Sequence, residues 1–374
     1  VIYLTQYRTL STTNVELFDD VVYPQKVHWF PETYARTKSG LFYVPHKLAE
    51  RVLDPELCKY LRENPVGKTA FILAGGNAHF AGIGPRKYEE NKLTYVYKFL
   101  PFSLTQVFAG RVAQGFGEMD QVVTDASACA SSLKVMMDVQ TLINFYGFQR
   151  VIVLTVEDGI TNAVLEFFGE AKAVLTQKQE DLGIKPSAFD STNFGFRIGQ
   201  GAALAVFETA EAVDKQGITP YAEMVGAYSA SEASTNAIGQ LEDGQGFKKA
   251  ILGALDISKK GAGEIKIVKT HGTGTASNNA SEGNALKAVL PEFVATSYKQ
   301  KIGHTMGSSG LLETLLLLDD LKSGVVPAIE NRTESDSVFL SQATPKPDGL
   351  ILSLAAGMGN IYSAAIFKEC YGRR

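Results

Sequence analysis

The chain has 374 residues, is 45% apolar and sets 36 basic against 40 acidic residues, for a formal charge of −4. That length points to two domains or one duplicated unit around a large core and excludes a small binding module. The near-balance of charge offers no global field for nucleic acid or an anionic membrane, and the longest apolar run, Leu311 to Leu318, holds Glu313 and Thr314 and falls short of a membrane span.

From the amino end, Val1 to Thr9 has neither a basic stretch leading into a long apolar one nor a transit-peptide composition, and the first residue is not methionine. Residues 1 to about 65 include His28, Trp29, Tyr43, Pro45 and His46 in an aromatic, irregular stretch that fits no motif. Short β-rich runs then alternate with helical patterns. Strands are predicted at Thr69 to Leu73, Val122 to Thr124, Val151 to Val156 and Ala202 to Glu208, with helices at Leu104 to Gln114 and Ala130 to Phe145. The second half repeats the habit, with strands at Tyr221 to Ala230, Glu264 to Val268, Gly349 to Leu354 and Ile361 to Phe367. Its helices are predicted at Phe247 to Leu255, Ser281 to Val289 and Ser309 to Lys322. Such alternation predicts an α/β fold with buried strands, and the lack of a Pro-rich or low-complexity linker predicts one compact body.

Three cysteines, Cys58, Cys129 and Cys370, are too sparse and too widely spaced for a disulfide framework or a zinc site, which points to a reducing cytoplasm and no metal. No cofactor is implied either. Gly75-Gly76 and Gly82-x-Gly84-Pro85 read as turns, and no strand leads into a dinucleotide fingerprint. Cys129 follows the strand-like Gln121-Val-Val-Thr and precedes Leu133, Met136, Met137 and Gln140 at helical spacing, which places it at a strand-to-helix turn. There the unpaired N–H groups and positive end of a helix favour a thiolate and donate to an oxyanion. Ala126, Ala128 and Ala130 leave room for an acyl thioester. An isolated cytosolic cysteine is more often a buried inert one.

His271 comes directly after the strand at Glu264 to Val268, in a turn with Gly272 and Gly274, at the carboxyl end of a strand where open α/β sheets bind ligands. His304 precedes Gly307, Ser308, Ser309 and Gly310 and the apolar helix, so it also lies just before a helix N-terminus. Either histidine alone is an ordinary turn residue. A soft nucleophile with two imidazoles, each among small residues, is what carbon–carbon bond formation on a thioester requires.

These stretches resemble the Cys-His-His site of elongating β-ketoacyl-(acyl carrier protein) synthases, the stand-alone type II ketosynthases of the thiolase superfamily. The likeness is carried by Phe108-Ala-Gly-Arg, Phe116-Gly and Asp125-Ala-Ser-Ala-Cys129-Ala-Ser-Ser, and by Lys269-Thr-His271-Gly-Thr-Gly-Thr with Glu282 at the family's spacing. Lys299 before His304 and the Phe189-Asp, Gly195-Phe196 and Gly-Gln200-Gly-Ala segments extend it over residues 68 to 370. The resemblance implies an α/β thiolase fold of duplicated βαβαβαββ halves in a five-layer α-β-α-β-α body. Residues 1–212 would carry the nucleophile and residues 213–374 both histidines.

By that resemblance, Cys129 takes an acyl chain from an acyl carrier protein as a thioester, and a malonyl group on a second carrier loses carbon dioxide. The resulting carbanion attacks the thioester while neutral His271 and His304 donate to the enolate. Lys299 and Glu282 pair and fix the histidine environment, and Gly357, Met358 and Phe196 form the gating and oxyanion side. The implied protein is a cytoplasmic acyltransferase of fatty-acid or type II polyketide or polyene-like synthesis. Its expected partners are acyl carrier protein and a second subunit, either a copy of itself or a chain-length-factor-like protein, with no nucleic acid and no membrane.

The sequence departs from the family at Asn193 and Phe194, where an arginine–aspartate pair is usual, and at Gln200, Asn279 and Met358, where glutamate, aspartate and a gating phenylalanine are usual. The departures tilt the reading toward a specialised pathway. A non-catalytic chain-length-determining subunit stays open, although retention of Cys129, His271, His304 and Lys299 argues against it. A thiolase-like enzyme on coenzyme A esters would need Cys370 as its second cysteine, and a cysteine hydrolase suits two histidines less well.

Overall fold

The computed structural model describes residues 1–11, 52–75, 105–158, 168–169, 174–232, 234, 239–336 and 338–370. His28, Trp29, Tyr43, Pro45, His46, Gly76, Gly82, Gly84 and Pro85 lie outside these residues. Twelve strands and nine α-helices form among the described residues and are numbered in chain order.

The first five strands are β1 (Ile2–Ser11), β2 (Thr69–Ala74), β3 (Gln121–Asp125), β4 (Arg150–Asp158) and β5 (Gln200–Thr209), in the order β3-β2-β4-β5-β1. Along β2 and most of β5 every residue is buried, as expected where helices cover both faces of a sheet and strands read as continuous apolar runs. β2 runs parallel to β3 and β4, whereas β4 is antiparallel to β5 and β5 to β1.

The same plan recurs in β6 (Ala222–Ser231), β7 (Ile265–Lys269), β8 (Val294–Thr296), β11 (Leu350–Gly357) and β12 (Ile361–Glu369). Their order is β6-β12-β11-β7-β8, with β7 parallel to β8 and β11, and with β12 antiparallel to both β11 and β6. Counted from the junction, both sets run first, fifth, fourth, second, third. The junction itself is a short antiparallel pairing of Ile2–Leu4 with β6. β9 (Val325–Val326) and β10 (Thr344–Pro345) form a separate ribbon.

Two helices, α3 (Ser131–Tyr146) and α9 (Ser309–Leu321), pack on each other and touch strands of both sets. Leu133, Val139, Leu312, Leu318 and Ile351 belong to the core around them. α1 (Pro55–Glu63), α2 (Thr105–Ala113) and α5 (Ala210–Gln216) cover the outer face of the first set. α6 (Gln245–Ser258) and α7 (Ala276–Val289) cover that of the second. The result is the expected α-β-α-β-α stack. Two short helices, α4 (Gln177–Asp181) and α8 (Lys299–Ile302), complete the set.

Several elements differ from the expectation. The stretch that fits no motif contains β1 and α1; α1 starts where Asp54 accepts the Glu56 N–H at 2.9 Å, with Pro55 as the first helical residue. α7 begins at Ala276 and not at Ser281, because Thr275 caps it by accepting the Asn278 N–H. β8, three residues long, was too short to show a period.

Candidate active site

β3 ends at Asp125, and a 3-10 turn, Ala128–Ala130, leads into α3. Ala128 has φ 47°, left-handed backbone that a residue with a Cβ adopts only where its surroundings hold it. Here Asp125 accepts the Ser127 N–H at 3.0 Å and the Ser131 hydroxyl donates to the Ala128 carbonyl at 2.6 Å. Gly357, the last residue of β11, closes the turn from the other side: a Cβ there would lie 2.7 Å from the Ser127 carbonyl oxygen. Cys129 therefore stands at the expected strand-to-helix elbow. A second elbow, Met306–Ser308, leads into α9 with Met306 at φ 45°, and the two elbows touch.

His271 follows β7 in a turn organised by Glu282 of α7. One carboxylate oxygen accepts the His271 N–H at 2.5 Å, and the other accepts the Gly272 N–H and the Asn278 side-chain amide, both at 2.9 Å. Gly274, at φ 74°, packs backbone against backbone: a Cβ would lie 1.9 Å from the Ser187 carbonyl oxygen, and its own carbonyl accepts the Gly195 N–H at 3.0 Å. His304 is fixed through its main chain, donating to the Arg197 carbonyl at 2.6 Å and accepting from Gly199 at 2.9 Å. Its Nδ1 lies 2.9 Å from the Ser309 hydroxyl at the start of α9. The imidazole centroids are 5.7 Å apart with planes at 83°, and the Phe196 ring meets His304 edge-on at 5.0 Å.

Cys129, His271, His304, Phe196, Gly357 and Met358, six residues named from the sequence, line one cavity of about 90 Å³. Phe168 adds to its apolar wall, while Thr273, Thr275, Ser277 and Gln240 make a polar one. Thr273 and Thr275 belong to the His271 motif; the sequence did not single out Phe168, Ser277 and Gln240, which come from separate segments that no local period connects.

The structure corrects two expectations. Lys299 does not pair with Glu282. Its ammonium donates to Glu313 of α9 at 2.8 Å, and the other Glu313 oxygen takes Lys269 at 3.2 Å. Glu282 is engaged instead by buried N–H groups, which need an acceptor where water is excluded. The signal for Glu313 was a lone acid inside the run Leu311 to Leu318.

The second correction concerns the thiol. Burial pushes Cys129 up to about 12, with the Lys299 charge opposing and the Glu157 carboxylate reinforcing. A thiolate stripped of water loses more than the partial charges at one helix end return. The imidazoles move the other way: burial, and then the charge of Lys299, hold both well below 6.5. Both are uncharged at neutral pH, so each ring offers one N–H donor and one acceptor nitrogen.

Met358 lines the cavity, as do Asn360 and Tyr362, which replace the glycine and asparagine usual in the closing Gly-Phe-Gly-Gly-Thr-Asn segment. Asn193 accepts the Lys185 N–H at 3.0 Å and donates to the Asn331 carbonyl at 2.8 Å; Asn279 accepts the Phe189 N–H at 3.1 Å. Gln200 is buried at the start of β5. Cys370 follows the far end of β12, about 26 Å along the strand from Tyr362, which lines the cavity. That separation removes the second cysteine a thiolase-like site would need.

The β-ketoacyl synthase N-terminal domain family matches residues 62–250, and the β-ketoacyl synthase C-terminal domain family matches residues 221–333. The chain is 26% identical over 270 residues to a mitochondrial 3-oxoacyl-(acyl-carrier-protein) synthase of Arabidopsis thaliana, covering 71% of this chain and 58% of that protein. It is 27% identical over 280 residues to the ketoacyl synthase alpha subunit of the tetracenomycin polyketide synthase of Streptomyces glaucescens, covering 72% and 64%. The matched region thus spans between 58% and 64% of these two relatives. A solved complex of a type II polyketide acyl carrier protein with its ketosynthase, bound to the hexaketide, shares the fold: TM-score 0.79 at 18% identity, over 98% of each chain.

Proposed function

The chain belongs to the β-ketoacyl synthase family, and from that premise we propose that it catalyses decarboxylative condensation of an acyl thioester on Cys129 with malonyl-acyl carrier protein. The observation that carries this reading is the convergence of Cys129, His271 and His304 on one cavity with both imidazoles uncharged.

In the first step the Cys129 sulfur adds to the carrier-bound acyl carbonyl and the carrier thiol leaves. A thiol held near 12 reacts as a thiol, so its proton must leave as the bond forms. A neutral imidazole takes that proton and returns it to the departing carrier sulfur, which leaves the step proton-neutral. In the second step the malonyl carboxylate leaves as carbon dioxide, and the bonding pair stays as an enolate to which the imidazole N–H groups donate. That carbanion attacks the acyl thioester, the Cys129 sulfur leaves as thiolate, and one proton from solvent restores the thiol. The product is a β-ketoacyl chain, longer by two carbons, on the second carrier.

Lys299 acts from beside the site through its charge. Phe196, Met358 and Gly357 shape the acyl side, Met358 as a flexible apolar cover. The partners in this reading are acyl carrier protein and a second subunit, a copy of this chain or a chain-length-factor-like protein. The setting is the cytoplasm, consistent with the lack, among the described residues, of a helix long and apolar enough to cross a membrane. Residues 1–212 and 213–374 are proposed as the two halves. The test is to supply purified protein with a panel of acyl-loaded carriers and malonyl carrier. One carbon dioxide and one β-ketoacyl carrier per turnover are expected; neither product with any acyl length, alone or with a partner subunit, would contradict the reading and favour a non-catalytic subunit.

A further inference from the structure

Beside the site, among the described residues, stands a fully buried charge that the mechanism leaves unused. Lys269 is the last residue of β7, two positions before His271, and is 0% exposed. Its ammonium donates to the Leu354 carbonyl at 2.7 Å and to Glu313 at 3.2 Å. Glu313 is also 0% exposed and gives its other oxygen to Lys299. An ammonium in such a place is costly, and replacing a buried ion pair by apolar residues is often neutral or stabilising.

The arrangement does have an electrostatic consequence. One carboxylate between two ammonium groups is over-neutralised, so the triad carries a net positive charge inside the protein, where fields are weakly screened. The groups that face the site are Lys299 from α8, Glu313 from α9, Glu282 from α7, Glu157 from β4 and the two imidazoles. Glu282 is turned onto the backbone N–H groups of His271 and Gly272, and Glu157 accepts the Gly307 N–H at 3.0 Å. The field that Lys299 exerts on the site therefore depends on how much of the Glu313 carboxylate faces it.

We propose that Lys269 is a positioning residue of the condensation site: by holding half of Glu313 it leaves Lys299 an uncompensated field that favours the Cys129 thiolate and the neutral imidazoles. The inference rests on the reading of Cys129 as the nucleophile. It also accounts for a lysine at a position where the strand could otherwise end on an apolar side chain.

Alkylation of Cys129 by iodoacetamide, followed by peptide mass against pH, tests the proposal without any carrier or malonyl group, so its failure is distinct from a failure of condensation. The rate below the thiol pKa follows the thiolate fraction. Burial holds Lys269 itself down at about 8, so its charge acts below that pH, where Lys269→Met is expected to slow alkylation by about fivefold or more. Lys269→Met with Glu313→Gln leaves Lys299 alone and unpaired, and should return the rate to within about twofold of the unmodified protein. A charge-neutral structural role predicts no such reversal. An unchanged rate below about pH 8 in folded Lys269→Met overturns the proposal, and if that variant does not fold, alkylation slowed by the double substitution does the same.

Discussion

A thiol and two imidazoles share one cavity, and a single physical cause, removal from water, moves them in opposite directions. Cys129 is pushed up to about 12 while His271 and His304 fall well below 6.5, so all three are uncharged at neutral pH. The sign has consequences for rate. Protonating an imidazole removes the acceptor of the thiol proton, and because both pKa values are depressed that loss belongs at acid pH. Condensation should show no inflection near 6.5; an activity loss centred there, in a pH–rate profile of kcat, would contradict neutral buried imidazoles. His304→Ala should reduce malonyl decarboxylation by about a hundredfold or more while some acyl loading on Cys129 survives. Carbon dioxide release and intact-protein mass, measured on the same sample, separate the two steps.

At the scale of elements, the site depends on turns that hold unusual backbone. Gly274→Ala would place a Cβ against the Ser187 carbonyl at positive φ, and is expected to cost about 1–3 kcal/mol and to displace the His271 turn. A thermal melt and a condensation assay on this variant check both effects. Asp190 organises the neighbouring loop, accepting N–H groups of Thr192, Asn193 and Thr333. Burial would raise its carboxyl, but the Asn193 and Thr333 donors outweigh it and hold the group at about 2, below the ordinary 3.8. The stabilisation is complete above that ordinary value and is lost as pH falls from about 4 toward 2, roughly 2 kcal/mol in all. Asp190→Asn should flatten this part of the stability curve measured by urea unfolding.

Much of this level was legible in the residues. The strand before His271, the small-residue turn at Cys129 and the apolar helix after His304 each announce themselves by local pattern. The partners of Lys299 and Glu282 did not, because a buried ion pair is set by the tertiary distance between α8, α9 and α7 and not by sequence spacing. For the same reason β1 escaped notice: its place is defined by pairing with β5 some two hundred residues later, and its burial follows no strict alternation.

For the molecule as a whole, the two strand sets repeat one order, and the two elbows lie side by side, each touching strands of the other set. The first elbow carries Cys129, the proposed nucleophile, and the second opens the helix whose Ser309 meets His304 and whose Glu313 binds Lys299. The candidate site is thus assembled across the junction of the repeat, where α3 and α9 pack together. Leu133 of α3 is 1% exposed in that central layer, so Leu133→Ala should cost about 2–5 kcal/mol by denaturant unfolding. Condensation requires that this assembly accept an acyl group on one sulfur. Intact-protein and peptide mass spectrometry after incubation with a panel of acyl carrier proteins reads that event. A single acyl thioester on Cys129, absent in Cys129→Ala, is the expected result; a folded protein that stays unmodified with every carrier and partner subunit, or carries the acyl group on another residue, would contradict it.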